Sequence, residues 1–241
     1  MIFYRPLAPI KALSFDLDDT LWDNGPIIRH ATQALANFLR DEYPPIADLI
    51  HEHWQRHRNA LVKQDPRLAS DMSVLRHKIL QALARQAGFA EQDQIEVADR
   101  GLAHFFAQRS AFKVNKNIYS LLERLSENTP LIAITNGNVD LTQVGIGQFF
   151  QQVYQANIDA PMKPDPAMFY SALAQLGLPA EEVLHVGDHL VKDVWAAHRL
   201  GFQTAWFACN REMNLINEPV RALPTVQLKD LEELVQILQI R

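Results

Sequence analysis

The sequence predicts an α/β fold: a parallel sheet covered by helices on both faces, interrupted after its first strand by a helical insert. Three observations carry this. Short, wholly apolar runs such as Leu131-Ile132-Ala133-Ile134 read as strands buried on both faces. From Val114 onward such runs alternate with helical periodicity, the pattern of β-α units. Between about Pro26 and Phe112 the apolar spacing is helical throughout, with no strand pattern.

The first strand is 10–15, ending in the acidic run Asp16-Leu17-Asp18-Asp19. An unpaired buried charge is expensive, so these acids must face water, a metal or a protein cation. The carboxyl ends of strands are also where open α/β sheets bind ligands. Asp16 and Asp18 lie two apart, and an extended backbone turns both to one side. They form either a solvated acidic turn or a pair able to hold a hard cation and present an oxygen nucleophile. Asp19 is expected to be structural, and Thr20 to bond the backbone of the turn.

Four amphipathic helices follow. The first carries Ile27, Ile28, Ala31, Leu35, Phe38 and Leu39 and stops near Pro44-Pro45; the second spans about 46–63. The third, with Leu75, Ile79, Leu80 and Leu83, ends at Gly88, and the fourth spans about 92–109. Short connections make these a small bundle. Then come a helical stripe at 118–125, a strand at 131–135, a weaker strand at 152–156 and a helix at 166–177. A strand at 183–186, a helix at 190–200, strands at 203–207 and 225–228, and a terminal helix at 231–238 complete the chain. The stretch 210–224 lacks periodicity and reads as a loop.

Composition narrows the function. The 241 residues are 48% hydrophobic, enough for a substantial core. A net charge of −5 gives no global attraction for nucleic acid or anionic membrane, so a phosphorylated ligand requires a local site. Cys209 is the single cysteine, which excludes an intrachain disulfide and suits a reducing compartment. No apolar run approaches the ~20 residues of a membrane span, and no signal segment is evident at the start. A soluble cytoplasmic protein is expected.

Three further segments carry chemistry. Thr135-Asn136-Gly137-Asn138 can present a hydroxyl and backbone N–H groups to an oxyanion, although Asn-Gly is also an ordinary turn. Lys163, between Met162 and Pro164, offers a point charge for phosphate, the alternative being a solvated lysine. Val186-Gly187-Asp188 again ends an apolar run on a carboxylate, with Asp193 about a helical turn further on. In the insert, His53 and His57 share a helix face without an evident third ligand, so a surface pair is expected there and not zinc. Asn24, Trp54 and Arg58 are candidate substrate contacts, although bundle packing for Trp54 and a solvated face for Arg58 are the favoured readings of those two. Phe105-Phe106 is read as bundle core.

The order strand-DxD, strand-TNG, loop-KP, strand-GDxxxxD, with a helical insert after the first, resembles the haloacid dehalogenase superfamily, and specifically its phosphatases with an inserted helical cap. The resemblance implies a Rossmann-like catalytic core of residues 1–23 and 112–241, a four-helix cap of residues 24–111, and Mg²⁺. It implies that Asp16 is a nucleophile forming an aspartyl-phosphate and that Asp18 is the general acid and base. Thr135, Asn136 and Lys163 would bind the phosphoryl group. Asp16, Asp188 and the Asp18 main-chain carbonyl would hold the metal, supported by Asp193. His189 stands where related chains often carry another aspartate. Asp18 argues against the dehalogenase branch, which does not need it. The segments Phe3-Tyr4-Arg5-Pro6-Leu7, Asp23-Asn24 and Leu184-His185-Val186-Gly187-Asp188 look like the bacterial phosphatases of flavin biosynthesis. Those act on phosphorylated ribitylamino-uracil, and relatives accept flavin mononucleotide or sugar phosphates. The alternatives are a broad sugar-phosphate or nucleotide phosphatase, and a phosphate-ligand-binding protein without turnover. In each case the partner is a small phosphorylated metabolite.

Overall fold

The computed structural model describes residues 1–239. A two-residue strand, β1 (Ile2–Phe3), precedes β2 (Ala12–Phe15), which is buried along its whole length. Four long helices follow: α1 (Asn24–Glu42), α2 (Pro44–Gln64), α3 (Met72–Gln86) and α4 (Glu91–Arg109). The remainder alternates as α5 (Lys116–Asn128), β3 (Leu131–Thr135), α6 (Leu141–Val144), β4 (Gln152–Gln155), α7 (Ala167–Leu176) and β5 (Val183–Gly187). After a π-helical segment, Leu190–Trp195, come α8 (Ala196–His198), β6 (Gln203–Trp206), β7 (Val226–Gln227) and α9 (Glu233–Ile237).

The strands form one sheet in the order β1-β7-β6-β5-β2-β3-β4. All pairings are parallel except β1 on β7. Alternate residues of β3 serve opposite faces: Leu131 and Ala133 pack with Leu121, Leu122 and Leu125 of α5, while Ile132 and Ile134 pack with Met168, Phe169 and Ala172 of α7. Burial on both faces is why the strand reads as an unbroken apolar run. The four long helices enclose a separate apolar core of Leu35, Leu39, Ile79, Leu80, Leu83, Phe105 and others. Their boundaries follow capping chemistry: Asp23 and Asp71 accept first-turn N–H groups of α1 and α3, and proline opens α2.

Three segments differ from expectation. β1 lacks any alternating pattern because both its residues are exposed, and it adds antiparallel to an edge. α6 and the short turn after it bury Leu141, Val144, Ile146 and Phe149 in a stretch too brief for periodicity to show. The helix expected over 190–200 is π-helical in its first half, for reasons that belong to the site. Among the described residues no helix is long and apolar enough to cross a membrane.

Candidate active site

β2 lies between β3 and β5, so the chain leaves it toward opposite halves of the sheet and a crevice opens at the strand ends. Asp16 follows β2, Thr135 ends β3 and Asp188 follows β5. With Asp18 and Lys163 they line one cleft of about 260 Å³.

Lys163 comes from the loop before α7 yet is only 2% exposed. Its Nζ donates to Asp16 Oδ1 (2.6 Å), Asp193 Oδ1 (2.6 Å) and the Ile134 carbonyl (2.8 Å). Those three bonds use every donor of an ammonium group. Burial alone would lower its pKa, but Asp16 and Asp193 outweigh this and hold it above the lysine range. Asp16 is pushed up by burial against the pull of Lys163. For Asp193 burial is outweighed by Lys163 and His185, so it is held below the carboxylate range. The second oxygen of Asp16 accepts the Thr20 hydroxyl at 3.3 Å, so Thr20 braces the carboxylate and not the turn's backbone. Asp19, in the left-handed region (φ 66°), is structural as expected and receives the Asn24 N–H.

Asp18 points at a different cation. Nη2 of Arg109, the last residue of α4, donates to Oδ1 (2.6 Å) and Oδ2 (2.8 Å), and Trp22 Nε1 donates to Oδ1 (2.9 Å). The two acids share the cleft but not a counter-ion. Close approach here depends on Gly137, where a Cβ would come within 2.5 Å of Asp18 Oδ2. Thr135 Oγ1 accepts the Gly137 N–H (3.0 Å), which leaves its own proton to donate into the cleft. The Asn136 amide is engaged elsewhere: it brackets the Lys163 backbone, donating to its carbonyl (3.0 Å) and accepting its N–H (2.7 Å). Its side chain therefore positions the lysine loop, and only its main chain is left to face a ligand.

Carboxylate oxygens of Asp16, Asp188 and Asp193 lie within 4.8 Å of one another. Asp193 has both oxygens committed, Oδ1 to Lys163 and Oδ2 to the His189 N–H (3.0 Å). Burial, then Asp193, raises Asp188 to about 6 despite Arg211, whose Nη1 donates to Oδ2 (2.8 Å). His189 Nδ1 accepts N–H groups of Val191 and Lys192, doing as an N-cap what aspartate does elsewhere. This cap and the inward turn of Asp193 open the helix into its π form, a distortion frequent at functional sites. Gly187 makes room, since a Cβ there would overlap the Asp193 side chain.

Sequence reasoning missed four contributors. Arg109 and Arg211 belong to no motif. Ser14 and His185 are register partners on β2 and β5, joined at 2.5 Å from Ser14 Oγ to Nδ1, with Nε2 of His185 3.3 Å from Asp193. Two polar residues inside apolar strands were the available signal. His185 is held below its usual pKa by burial, which outweighs the opposing pull of Asp193. Outside the cleft, His57 bonds Gln86 instead of sharing a ligand set with His53. Trp54 packs in the helical core but also borders a cavity, and Phe105 is buried core.

Comparison with known proteins gives consistent matches. The family described as "Hydrolase: haloacid dehalogenase-like hydrolase" matches residues 10–201. The 5-amino-6-(5-phospho-D-ribitylamino)uracil phosphatase YigB of Escherichia coli (strain K12) is 32% identical over 99% of this chain and 100% of its own. A glyceraldehyde 3-phosphate phosphatase of Methanopyrus kandleri is 32% identical over 81% of this chain and 82% of its own. A crystal structure described as a 2-haloacid dehalogenase from Pseudomonas syringae pv. Tomato DC3000 superposes with a TM-score of 0.86 at 31% identity, covering 95% of this chain and 98% of that one.

Proposed function

The chain belongs to the haloacid dehalogenase-like hydrolases and is a phosphomonoester hydrolase, and we propose that it uses Mg²⁺ to dephosphorylate 5-amino-6-(5-phospho-D-ribitylamino)uracil. The observation that carries this reading is the separate anchoring of two acids in one cleft, Asp16 on Lys163 and Asp18 on Arg109. The substrate is that of the relative matching the chain end to end.

In this reading Asp16 attacks phosphorus through the oxygen that Lys163 does not hold. An O–P bond forms as the ester O–P bond breaks, and Asp18 passes its proton to the departing alcohol oxygen. Water then attacks the aspartyl-phosphate, gives a proton back to Asp18 and releases inorganic phosphate with Asp16 restored. Thr135 and the main chain of Asn136 orient the phosphoryl oxygens, while Lys163 offsets the repulsion between two anions.

The donor set fits Mg²⁺, a hard cation that prefers oxygen ligands. Asp16 and Asp188 would hold it with the Asp18 carbonyl, and Asp193, fully engaged, would brace the set. When bound, Mg²⁺ supplies positive charge between the carboxylates and the phosphate. The layer α1–α4 serves as a cap that limits water and selects the leaving group. The unpaired Cys209 suits a cytoplasmic setting.

A second reading, carbon–halogen hydrolysis, is favoured by the structural likeness to a dehalogenase. A halide leaves without a proton, so that chemistry gives Asp18 and its arginine nothing to do. The deciding experiment is Mg²⁺-dependent release of phosphate from the ribitylamino-uracil phosphate, flavin mononucleotide and sugar phosphates, and of halide from 2-chloropropionate, with Asp16→Asn as the blank. A kcat/KM preference for the flavin precursor is expected. Equal rates on all esters would leave a broad phosphatase; halide release alone would overturn the reading.

A further inference from the structure

Beside the catalytic cleft a second cavity of about 140 Å³ lies between the helical layer and the loop after β3. Asp18, Asn24 and Gly137 line both, so the spaces adjoin where a leaving group would depart. Its walls carry two buried polar atoms without a hydrogen-bond partner among the described residues: Nη1 of Arg109, a donor, and Oδ1 of Asn24, an acceptor. The Arg109 side chain is 2% exposed, so this is a deeply set guanidinium with one end engaged and the other idle. A buried polar atom left unpaired forfeits the hydrogen bonds it made to water and is therefore costly. A hydroxyl group answers both orphans, because it accepts from one and donates to the other.

Arg76 of α3 lines the same cavity and borders two more inside the helical layer, of about 50 and 280 Å³. One face of its guanidinium is covered by the Phe105 ring, at 3.5 Å from the centroid. The charge it feels is that of Arg109, another cation; burial first and then this repulsion lower its pKa to about 10. Among the described residues no carboxylate pairs with Arg76, and a half-buried cation without a counter-anion is costly unless something brings oxygen acceptors to its free edges. Trp54 borders both inner cavities and offers a flat apolar wall.

We propose that Asn24, Arg109 and Arg76 form a leaving-group subsite for a polyhydroxylated phosphomonoester whose far end is a ring bearing carbonyls. The hydroxyls near the phosphate meet Asn24 and Arg109, and the carbonyl edge meets Arg76. The assignment rests on the phosphatase reading for the position of the phosphoryl group and adds the residues that choose the alcohol.

The test compares kcat/KM for p-nitrophenyl phosphate, ribitol 5-phosphate and the ribitylamino-uracil phosphate in wild type, Asn24→Ala, Arg76→Met and Arg76→Lys. Asn24→Ala should lower the ribitol-to-nitrophenyl ratio about fivefold or more, and Arg76→Met the ring-to-ribitol ratio about tenfold or more. Arg76→Lys, which keeps charge but loses the planar fork, should lower the latter ratio less, and it serves if the methionine variant does not fold. Equal losses on every ester would mean that these side chains only hold the helices together, and would overturn the subsite. A wild-type protein that hydrolyses none of the esters would sink the phosphatase reading instead. Calorimetric binding of the two ribityl esters to Asp16→Asn protein then decides the subsite. Tighter binding of the ring-bearing ester, lost on adding Arg76→Met, supports it, and indistinguishable binding rejects it.

Discussion

Replacing Asp18 by asparagine keeps an oxygen for Arg109 and Trp22 but removes the group proposed to exchange protons. Its kcat should fall ~10²–10⁴-fold with KM little changed, as read from steady-state rates. Arg109→Lys keeps the charge but replaces the planar guanidinium with a shorter, differently shaped point charge, so kcat should fall ~10-fold or more while phosphate still binds. Asp188 gives a pH prediction. Burial and Asp193 raise its pKa from 3.8 to about 6 in the folded protein, which binds that proton more tightly than the unfolded chain does. The stability from this group is present at low pH and lost as pH rises from about 4 through 6. In the proposed site Mg²⁺ would compete with the same proton, so its apparent affinity should climb over that window and level off above it. Titrations of Mg²⁺ at pH 5, 6 and 7 check this; an affinity flat across them would remove Asp188 from the ligand set.

At the scale of elements, the site depends on where strands end and how the following turns are shaped. β5 leads into a π-helical segment because His189 caps it and Asp193 turns inward over Gly187. Gly187→Ala should therefore displace Asp193 and loosen Lys163. A loss of ~1–3 kcal/mol is expected in urea unfolding, the usual cost of overpacking, with turnover falling as well. That turn is only partly legible in sequence: Gly187 and Asp188 after an apolar strand announce a site, but an α-helix and a π-helix share the same apolar spacing at this length. The end of β3 was readable because burial on both faces leaves Leu131–Ile134 without a polar interruption until Thr135 begins the site, and in β5 His185 is the one polar residue before Gly187. β1 gave no such sign, since a strand exposed on both residues has nothing to alternate.

Across the whole molecule, apolar clusters cover the two faces of the sheet and a separate one lies inside α1–α4. Leu80 lies fully buried in the last, and Leu80→Ala should cost ~2–5 kcal/mol. If the helical layer is a folding unit of its own, calorimetry of this variant should show an early transition that leaves the sheet intact. One broadened transition would argue that the layers unfold together.

The sequence by itself determined the β-α alternation, the helical insert, the acids at the strand ends and the lysine in the loop before α7. Each of these is a local matter of burial, period or capping, and neighbours in the chain report it. Which charges meet was decided only by the tertiary structure. Arg109 reaches Asp18 across 91 positions and Lys163 reaches Asp16 across 147, distances over which no spacing rule operates. The same holds for Asn136, whose amide is drawn to the Lys163 backbone, and for Arg76, which has no carboxylate partner among the described residues, a fact visible only once its surroundings are assembled. Buried ionic contacts depend on which side chains exclude water together, and that follows from packing.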